Sequence, residues 1–312
     1  MTSPHTVPSG ELPAAFVREI VERESDAGRA WLQTLPELAT RFLNRWDCVR
    51  DGAVRHGAVG LVVPVLRRAQ CAVLKISFPH PGNRSEPFAL ATWGGVGAVR
   101  LLDREDDHFA MLLERAGPAT LASIGDNEQA LRLSGELART LAVPAPATVP
   151  RLGDTAGWEE QLRRHDQALR SQALHQPLPR PVLDRAIAII QDLSHDQTKT
   201  LIHGDLHYAN VLSAEESHHR RWLAIDPKGL AGTAAFDAAT LVWERLDELD
   251  SSTFNASIGR RLSIFAEAAA VDLALTRDCT FARTVSAYQY ELLQGRPERA
   301  ASVERLMFDG LS

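Results

Sequence analysis

Four residues that could do chemistry are crowded into the stretch LIHGDLHYANVL, residues 201–212. His203, Asp205, His207 and Asn210 fall within eight residues and have apolar residues on both sides. Such a cluster could be a metal site, the catalytic loop of a phosphate-transferring enzyme, or an ordinary polar turn. The remainder of the chain has to decide between these three interpretations.

A further acidic residue follows at a sequence spacing that favours the catalytic loop of a phosphate-transferring enzyme. The segment LAIDP, residues 223–227, is a predicted apolar strand that carries Asp226 at its end, sixteen residues after Asn210. Asn210 and Asp226 offer oxygen ligands of the kind that Mg²⁺ takes together with substrate phosphates. Asp205, five residues before Asn210, is placed to accept a proton from a hydroxyl group. This is the order of the kinase catalytic loop: a catalytic Asp, then an Asn, then a second Asp on the next strand.

The elements that must position these residues begin with a mainly β region. An amphipathic helical stretch follows a loose N-terminal tail, and its apolar residues include Phe16 and Ile20. The β-branched runs 59–66 and 71–78 then predict two strands, and residues 86–93 predict a short helix. A second predicted hairpin has its strands at 97–102 and 109–115.

Beyond a connection with three prolines, residues 143–154, the periodicity is mostly helical. It predicts helices over residues 157–175, 181–194, 234–248, 259–276, 281–294 and 299–308. One short region of predicted strands, which holds the polar cluster, interrupts these helices. The pattern therefore predicts an α+β protein with a small, mainly β N-terminal lobe and a larger, mainly α C-terminal lobe.

Composition limits the function classes. The chain has 312 residues, 45% of them hydrophobic and 24% charged, which is typical of a globular protein with one large or two smaller domains. The formal net charge of −6 argues against a nucleic-acid partner and is compatible with a cationic ligand. Cys48, Cys71 and Cys279 have no metal-ligand spacing and are expected to be reduced. With no signal peptide and no run of about 18 apolar residues, we expect a cytoplasmic protein without a membrane span.

HGDLHYAN followed by IDPKG resembles the aminoglycoside phosphotransferase family, which has a protein-kinase-like fold. A narrower resemblance, to the streptomycin 6-phosphotransferase and hydroxyurea phosphotransferase group, covers almost the whole chain. Its marks are GRAWLQTLPEL (28–38), RW (45–46), AVLKISFPHP (72–81), WGGVGAVRLL (93–102), MLLER (111–115), and AIDPKG with AFDAATLVWER (224–245).

The resemblance implies a bilobal protein-kinase-like fold, with residues 1–116 as the N-terminal lobe and 117–312 as the C-terminal lobe. ATP or GTP is expected between the lobes, with Mg²⁺ on Asn210 and Asp226. Lys75 would bind phosphate and pair with Glu86. The nucleotide-binding residues so implied are Lys75, Glu86 and the hinge segment Glu114, Arg115 and Ala116, whose backbone would meet adenine.

The same resemblance implies that Asp205 is the catalytic base and that the acceptor is streptomycin, phosphorylated on a hydroxyl of its guanidinylated ring. A cationic acceptor needs carboxylates, and the candidates are Asp205, Glu244, Asp247 and Glu248. A monomer or weak dimer is expected. Hydroxyurea, an amino sugar or another metabolite stays open as the acceptor. So do a nucleotide-binding pseudokinase, a protein kinase, and a zinc hydrolase built on His203, Asp205 and His207.

Two departures from the kinase pattern stand out. Gly204 occupies the position where eukaryotic protein kinases carry the Arg that reads a phosphorylated activation loop, so no such switch is expected. The phosphate-covering loop would lie near HGAVG, residues 56–60, which is not a G-x-G-x-x-G pattern.

Several polar residues have simpler interpretations. We expect His203 and His207 to brace the loop by hydrogen bonds, Asp237 to be a helix cap or a loop anchor, and His218 and His219 to be solvated. Lys228 could reach the phosphates. Gly94, Gly95 and Gly97 are expected to form a tight turn.

Overall fold

The computed structural model describes residues 5–8, 10, 12–154, 157–171, 177–195, 200–214 and 221–311. The chain divides into two compact units, Met1–Gly117 and Pro118–Ser312, called here the N-terminal and C-terminal units. The boundary expected from the sequence falls one residue earlier. His218 and His219 lie outside the described residues. Within the described residues, no helix is long and apolar enough to cross a lipid bilayer.

The N-terminal unit is an antiparallel sheet with a long helix before it and a short helix within it. Its elements are α1 (Ala14–Arg45), β1 (Cys48–Arg50), β2 (Arg55–His56), β3 (Gly60–Arg67), β4 (Gln70–Ser77), α2 (Glu86–Trp93), β5 (Leu101–Glu105) and β6 (Ala110–Glu114). The strand order is β1-β3-β4-β6-β5, and β2 also pairs with β3. The predicted hairpin of β3 and β4 is confirmed, and Arg68 and Ala69 at its turn both have positive φ, the backbone that suits a two-residue hairpin loop.

The two faces of β4 have different surroundings because side chains alternate along a strand. Leu74 and Ile76 belong to the buried core, together with Phe16 of α1. The ring of Phe16 lies 6.0 Å from that of Trp31, although fifteen residues of straight helix would separate them by about 22 Å. α1 therefore folds back on itself, and the reversal lies at Ser25, whose φ of 52° is not helical. Lys75 lies between Leu74 and Ile76 and points to the opposite face.

The second predicted hairpin is partly wrong. β5 begins at Leu101 and not at residue 97, because a glycine turn precedes it. Gly94, Gly95 and Gly97 all have positive φ, which confirms the predicted tight turn after α2.

The C-terminal unit is mainly helical, with two short antiparallel ladders. Its elements are α3 (Asn127–Leu141), α4 (Trp158–Ser171), α5 (Arg180–His195), β7 (Thr200–Ile202), β8 (Val211–Ser213), β9 (Trp222–Ala224), β10 (Leu230–Gly232), α6 (Ala238–Val242), α7 (Phe254–Ala269), α8 (Leu273–Leu293) and α9 (Pro297–Arg305). β7 pairs with β10, and β8 pairs with β9. Aliphatic residues of α4, α5, α7 and α8 share one core, which includes Leu162, Ile187, Leu262 and Val285.

The structure departs from the helix predictions at three places. α3 was not predicted, although Asp126 caps it by accepting the N–H groups of Glu128 and Gln129. The helix predicted over 234–248 is wrong: α6 is short, and Arg245 after it has a φ of 53°. The helix predicted over 259–276 crosses a break at Ala270.

Candidate active site

The loop between β7 and β8 carries the polar cluster, and the next ladder brings Asp226 to it. Val211 of β8 faces Ala224 of β9 in the register of that ladder. One step further along, the N–H of Ile225 donates to the carbonyl of Asn210 at 2.9 Å. Asn210 and Asp226, sixteen residues apart in sequence, are thus neighbours at the end of one ladder.

The side chain of Asn210 is buried and oriented. Its Nδ2 donates to the main-chain carbonyl of Asp205 at 3.0 Å. The amide nitrogen is therefore used inside the loop, and Oδ1 is the atom that can take a cation. An amide oxygen beside a carboxylate is a donor set that suits Mg²⁺, so the residues fit the ion that the sequence implies.

Asp226 has a strained backbone. Its φ is 57°, in the left-handed region, where Asp and Asn are tolerated better than most residues. Pro227 follows and is buried, while Asp226 itself is half-buried. Strain of this kind is retained where the surrounding structure requires it, and it clusters at functional sites.

His203 is buried and braces the loop with both ring nitrogens. Nε2 lies 2.8 Å from the carbonyl of Ile225, and Nδ1 lies 3.2 Å from the main-chain N of Asp205. Because a carbonyl only accepts and an N–H only donates, the ring is neutral with its proton on Nε2. Burial lowers the pKa of His203 to about 4, which agrees with a neutral ring.

These contacts bear on the two histidine predictions. His203 braces the loop as expected, and with both nitrogens engaged it does not serve as a zinc ligand. The prediction is wrong for His207, because its ring makes no hydrogen bond to the described residues. Only the main-chain carbonyl of His207 contributes to the loop, by accepting the N–H of Asn210 at 2.9 Å. Within the described part of the chain, no three His, Cys, Asp or Glu side chains are grouped to hold a metal.

Asp237 anchors the start of the loop. Its carboxylate accepts the N–H of Gly204 at 2.7 Å and that of His203 at 3.2 Å. Burial raises the pKa of Asp237 to about 7, against the opposing effects of Arg283 and of the two N–H bonds. Of the two roles expected for Asp237, the structure shows the loop anchor and no capping bond to α6.

Gly204 is required by its surroundings. Its φ is 82°, and a Cβ placed there would lie 3.0 Å from the Cβ of Lys228 and 3.1 Å from Cδ1 of Leu230. A side chain at position 204 would therefore be crowded by Lys228 and Leu230. The main-chain N–H of Lys228 donates to the carbonyl of His203 at 2.8 Å.

Two further residues that contact the loop come from the segment after Asp237. Thr240 Oγ1 donates to the carbonyl of Leu206 at 2.5 Å, and Glu244 Oε1 accepts the N–H of Tyr208 at 3.2 Å. Sequence reasoning missed Thr240 and assigned Glu244 to the acceptor. Asp247 and Glu248 are exposed in the following turn, and their contact with an acceptor stays a prediction.

In the N-terminal unit, Lys75 and Glu86 form the predicted pair. Nζ of Lys75 lies 2.6 Å from Oε1 of Glu86, and both residues are buried. Glu86 is the first residue of α2, with Pro87 after it in the first turn, where proline is tolerated. The pairing is confirmed, and phosphate binding by Lys75 stays a prediction.

The side chains of the predicted hinge are engaged within the N-terminal unit. Glu114 accepts the N–H of Arg100 at 2.9 Å, and Arg115 donates to Asp51 at 2.7 Å and to the sulfur of Cys71. An adenine contact of Glu114, Arg115 and Ala116 through their main chain stays a prediction.

Comparison with known proteins shows the family to which the chain belongs. A family model described as aminoglycoside/hydroxyurea antibiotic resistance kinase matches residues 45–291. The streptomycin 6-kinase of Streptomyces griseus is 36% identical over 305 residues, 95% of this chain and 96% of that protein. The hydroxyurea phosphotransferase of Kitasatospora aureofaciens is 31% identical over 310 residues, 95% of this chain and 86% of that protein.

Solved structures agree on the fold. A spectinomycin phosphotransferase, solved in complex with ADP and spectinomycin, matches with a TM-score of 0.54 at 15% identity and covers 90% of this chain and 95% of that one. The predicted α+β, protein-kinase-like fold is confirmed.

Proposed function

This chain belongs to the aminoglycoside/hydroxyurea antibiotic resistance kinase family and is a phosphotransferase, and from that premise we propose that it transfers the γ-phosphoryl group of Mg·ATP to a hydroxyl group of streptomycin. Conversion of the antibiotic to a phosphate ester would give resistance. GTP is the alternative donor.

The observation that carries the proposal is a braced loop with Asp205 and Asn210, beside which a strand ladder sets the third oxygen-bearing side chain, Asp226. Asn210 is hydrogen-bonded to the main chain of Asp205, and the ladder of β8 and β9 sets Asp226 beside Asn210. Phosphoryl transfer depends mainly on positioning and on charge neutralisation, so a rigid loop is what the reaction requires.

Each residue then has a role in the transfer. Asp205 orients the acceptor hydroxyl and takes its proton while the oxygen–phosphorus bond forms and the bond to the ADP leaving group breaks. Asn210 and Asp226 would hold Mg²⁺, which when bound neutralises charge on the phosphate oxygens. Lys75, oriented by Glu86, would bind the phosphates.

The choice of streptomycin rests on the 36% identity to a streptomycin 6-kinase over nearly the full length of both chains. Exposed Asp247 and Glu248 are acidic and could bind a cationic acceptor. The 31% identity to a hydroxyurea phosphotransferase makes hydroxyurea the second candidate acceptor, and its phosphorylation would use the same phosphate donor.

We also propose that the protein acts in the cytoplasm. The reaction consumes ATP, and Cys48, Cys71 and Cys279 are free thiols, as is usual in a reducing compartment.

The test is phosphate transfer from Mg·ATP to streptomycin, other aminoglycosides, hydroxyurea and glucosamine, with a blank that contains no acceptor. Asp205→Asn keeps the size of the side chain and removes the base, so it should lower turnover by about 10²- to 10⁴-fold. Transfer to streptomycin that is lost in this variant supports the proposal. Transfer only to another acceptor would make that acceptor the proposed substrate in place of streptomycin. Nucleotide binding without any transfer would favour a pseudokinase.

A further inference from the structure

The segment from Asp237 to Glu244 presents one side to the catalytic loop. Asp237 precedes the short helix α6, Thr240 lies within it, and Glu244 follows it. Asp237 holds the loop before Asp205, at the N–H groups of His203 and Gly204. Thr240 and Glu244 contact it after Asp205, at the carbonyl of Leu206 and the N–H of Tyr208.

The contacted main-chain groups belong to buried residues that lie outside the strands. Leu206 and Tyr208 are both fully buried, and the β7 and β8 ladders end at Ile202 and begin at Val211. Buried main-chain N–H and carbonyl groups need hydrogen-bond partners, and here Thr240 and Glu244 supply them. A bond from an N–H to a carboxylate is also stronger than one to a neutral acceptor.

Glu244 is itself held in place. The buried guanidinium of Arg261 donates to the main-chain carbonyls of Val242, Glu244 and Arg245. Val242 is the last residue of α6, where helix carbonyls lack partners within the helix, and Glu244 and Arg245 lie in the turn that follows. The backbone that carries Glu244 is thus fixed. Glu248, four residues further on, has a side chain that is 57% exposed.

The far side of the loop is fixed as well. The hydroxyl of Tyr208 donates to Oδ1 of Asn127 at 3.0 Å, and Asn127 is the first residue of α3. Tyr208 is therefore held at its main chain by Glu244 and at its ring by Asn127. Asp205 lies between this point and the anchor at Asp237.

We propose that Glu244 and Thr240 are positioning residues for Asp205, and that Glu244 acts through the main chain of Tyr208 and not by binding a cationic acceptor. This inference rests on the proposed function, since it assigns Asp205 the role of catalytic base. It replaces the acceptor-binding role that the sequence suggested for Glu244.

The decisive experiment compares Glu244→Gln with Glu244→Ala, using the acceptor that the wild-type protein phosphorylates. Gln keeps an oxygen that can accept the Tyr208 N–H, so kcat should stay within about threefold of wild type. Ala leaves that N–H without its partner, so kcat should fall about 10- to 100-fold while the acceptor KM changes less than about threefold. Glu267→Gln, which removes an exposed carboxylate of α7 that has no role in the proposed site, is the control for loss of a negative charge.

Thr240 gives an independent pair. Thr240→Ser keeps the hydroxyl and should behave as wild type, whereas Thr240→Val has nearly the same shape, lacks the donor, and should lower kcat. A rise of about tenfold or more in the acceptor KM of Glu244→Gln, with kcat retained, would overturn the proposal in favour of acceptor binding. Unchanged kcat in both Glu244→Ala and Thr240→Val would overturn it as well.

Hydrogen exchange separates this inference from the proposed function. Glu244→Ala should speed amide exchange in residues 201–212 relative to Glu244→Gln, whether or not streptomycin is the acceptor. If the wild-type protein transfers no phosphate at all, the proposed function fails while the loop measurement still decides the positioning role. Equal exchange in the two variants rules it out.

Discussion

The side-chain nitrogen of Asn210 donates to the main-chain carbonyl of Asp205 at 3.0 Å, so the proposed metal ligand and the proposed base are joined by a direct hydrogen bond. The bond spans five residues and closes the loop on itself. A change at Asn210 is therefore expected to affect both metal binding and the position of Asp205.

Asn210 variants should separate these two effects. Asn210→Ala removes the metal-binding oxygen and the donor, so the Mg²⁺ concentration for half-maximal phosphate transfer should rise and kcat should fall. Asn210→Asp keeps an oxygen ligand but cannot donate to the Asp205 carbonyl, so kcat should fall with a smaller change in Mg²⁺ requirement. Activity measured across a Mg²⁺ titration checks both, and an unchanged Mg²⁺ requirement in Asn210→Ala would exclude Asn210 as a ligand.

His203 should make unfolding depend on pH in a defined direction. Burial lowers its pKa to about 4 from an ordinary value of 6.5, so between these values the unfolded chain binds more protons at this site than the folded chain. The stability that His203 contributes is thus fully present above pH 6.5 and is lost as the pH falls towards 4, by up to about 3 kcal/mol.

The variant His203→Gln isolates this contribution because its side chain does not titrate. Urea unfolding at pH 7, 5.5 and 4.5 should show a steeper loss of stability in the wild type than in His203→Gln. Asp237, whose raised pKa of about 7 acts in the opposite direction between pH 3.8 and 7, is present in both proteins and cancels in the comparison. Parallel pH profiles of the two proteins would argue against a buried neutral His203.

The proximity of Asn210 and Asp226 can be predicted from the sequence because the spacing of the pattern is short. Asp205, Asn210 and Asp226 follow a pattern whose intervals, five and sixteen residues, limit where the side chains can go. The bonds that connect the loop to the α6 segment span many more residues than the loop itself: 33 from Gly204 to Asp237 and 36 from Tyr208 to Glu244. Over such distances an acidic residue that anchors a buried amide cannot be told from a surface carboxylate.

The helix errors have a related cause. Apolar periodicity predicts one helix over 234–248, but the left-handed φ of Arg245 ends the regular structure after α6. That conformation goes together with tertiary bonds, since Arg245 donates to the carbonyls of Ala122, Ile124 and Gly125. Such contacts leave no mark in a local pattern.

Asp226 offers a test in which charge and backbone conformation are separated. Asp226→Asn keeps a residue that tolerates positive φ, so the free energy of unfolding should change by less than about 1 kcal/mol, while loss of the carboxylate should lower transfer at least about 100-fold. Asp226→Ala should lose activity and also about 1–2 kcal/mol of stability, because Ala is strained at a φ of 57°. Urea unfolding and initial rates are the two measurements, and an active Asp226→Asn would contradict the metal-binding role.

Gly204 should tolerate no side chain. Gly204→Ala places a Cβ at a φ of 82° and 3.0 Å from Cβ of Lys228, so it should lower the free energy of unfolding by about 2 kcal/mol or more. Gly125→Ala is the matched control, since a Cβ there meets nothing within 4 Å and should shift stability by less than about 0.5 kcal/mol. Equal unfolding midpoints for the two variants would show that the loop adapts at Gly204.

The Lys75–Glu86 pair should couple strongly because both side chains are removed from water. Lys75→Met leaves the buried carboxylate of Glu86 without the ammonium group that lies 2.6 Å away, and Glu86→Gln leaves that ammonium group without the carboxylate. Each substitution should therefore lower the free energy of unfolding by about 3–5 kcal/mol. The double variant leaves no uncompensated charge, so its loss of stability should be smaller than the sum of the two single losses by more than about 1 kcal/mol.

The exposed pair Arg29–Asp26 is the control for this cycle. Its side chains are 59% and 98% exposed, so its coupling should stay below about 1 kcal/mol. Unfolding free energies of the four proteins in each cycle supply the comparison. Additive losses at Lys75 and Glu86 would mean that water solvates the remaining charge when one partner is removed. In that case Glu86 would not be the residue that orients the Lys75 ammonium group for phosphate binding.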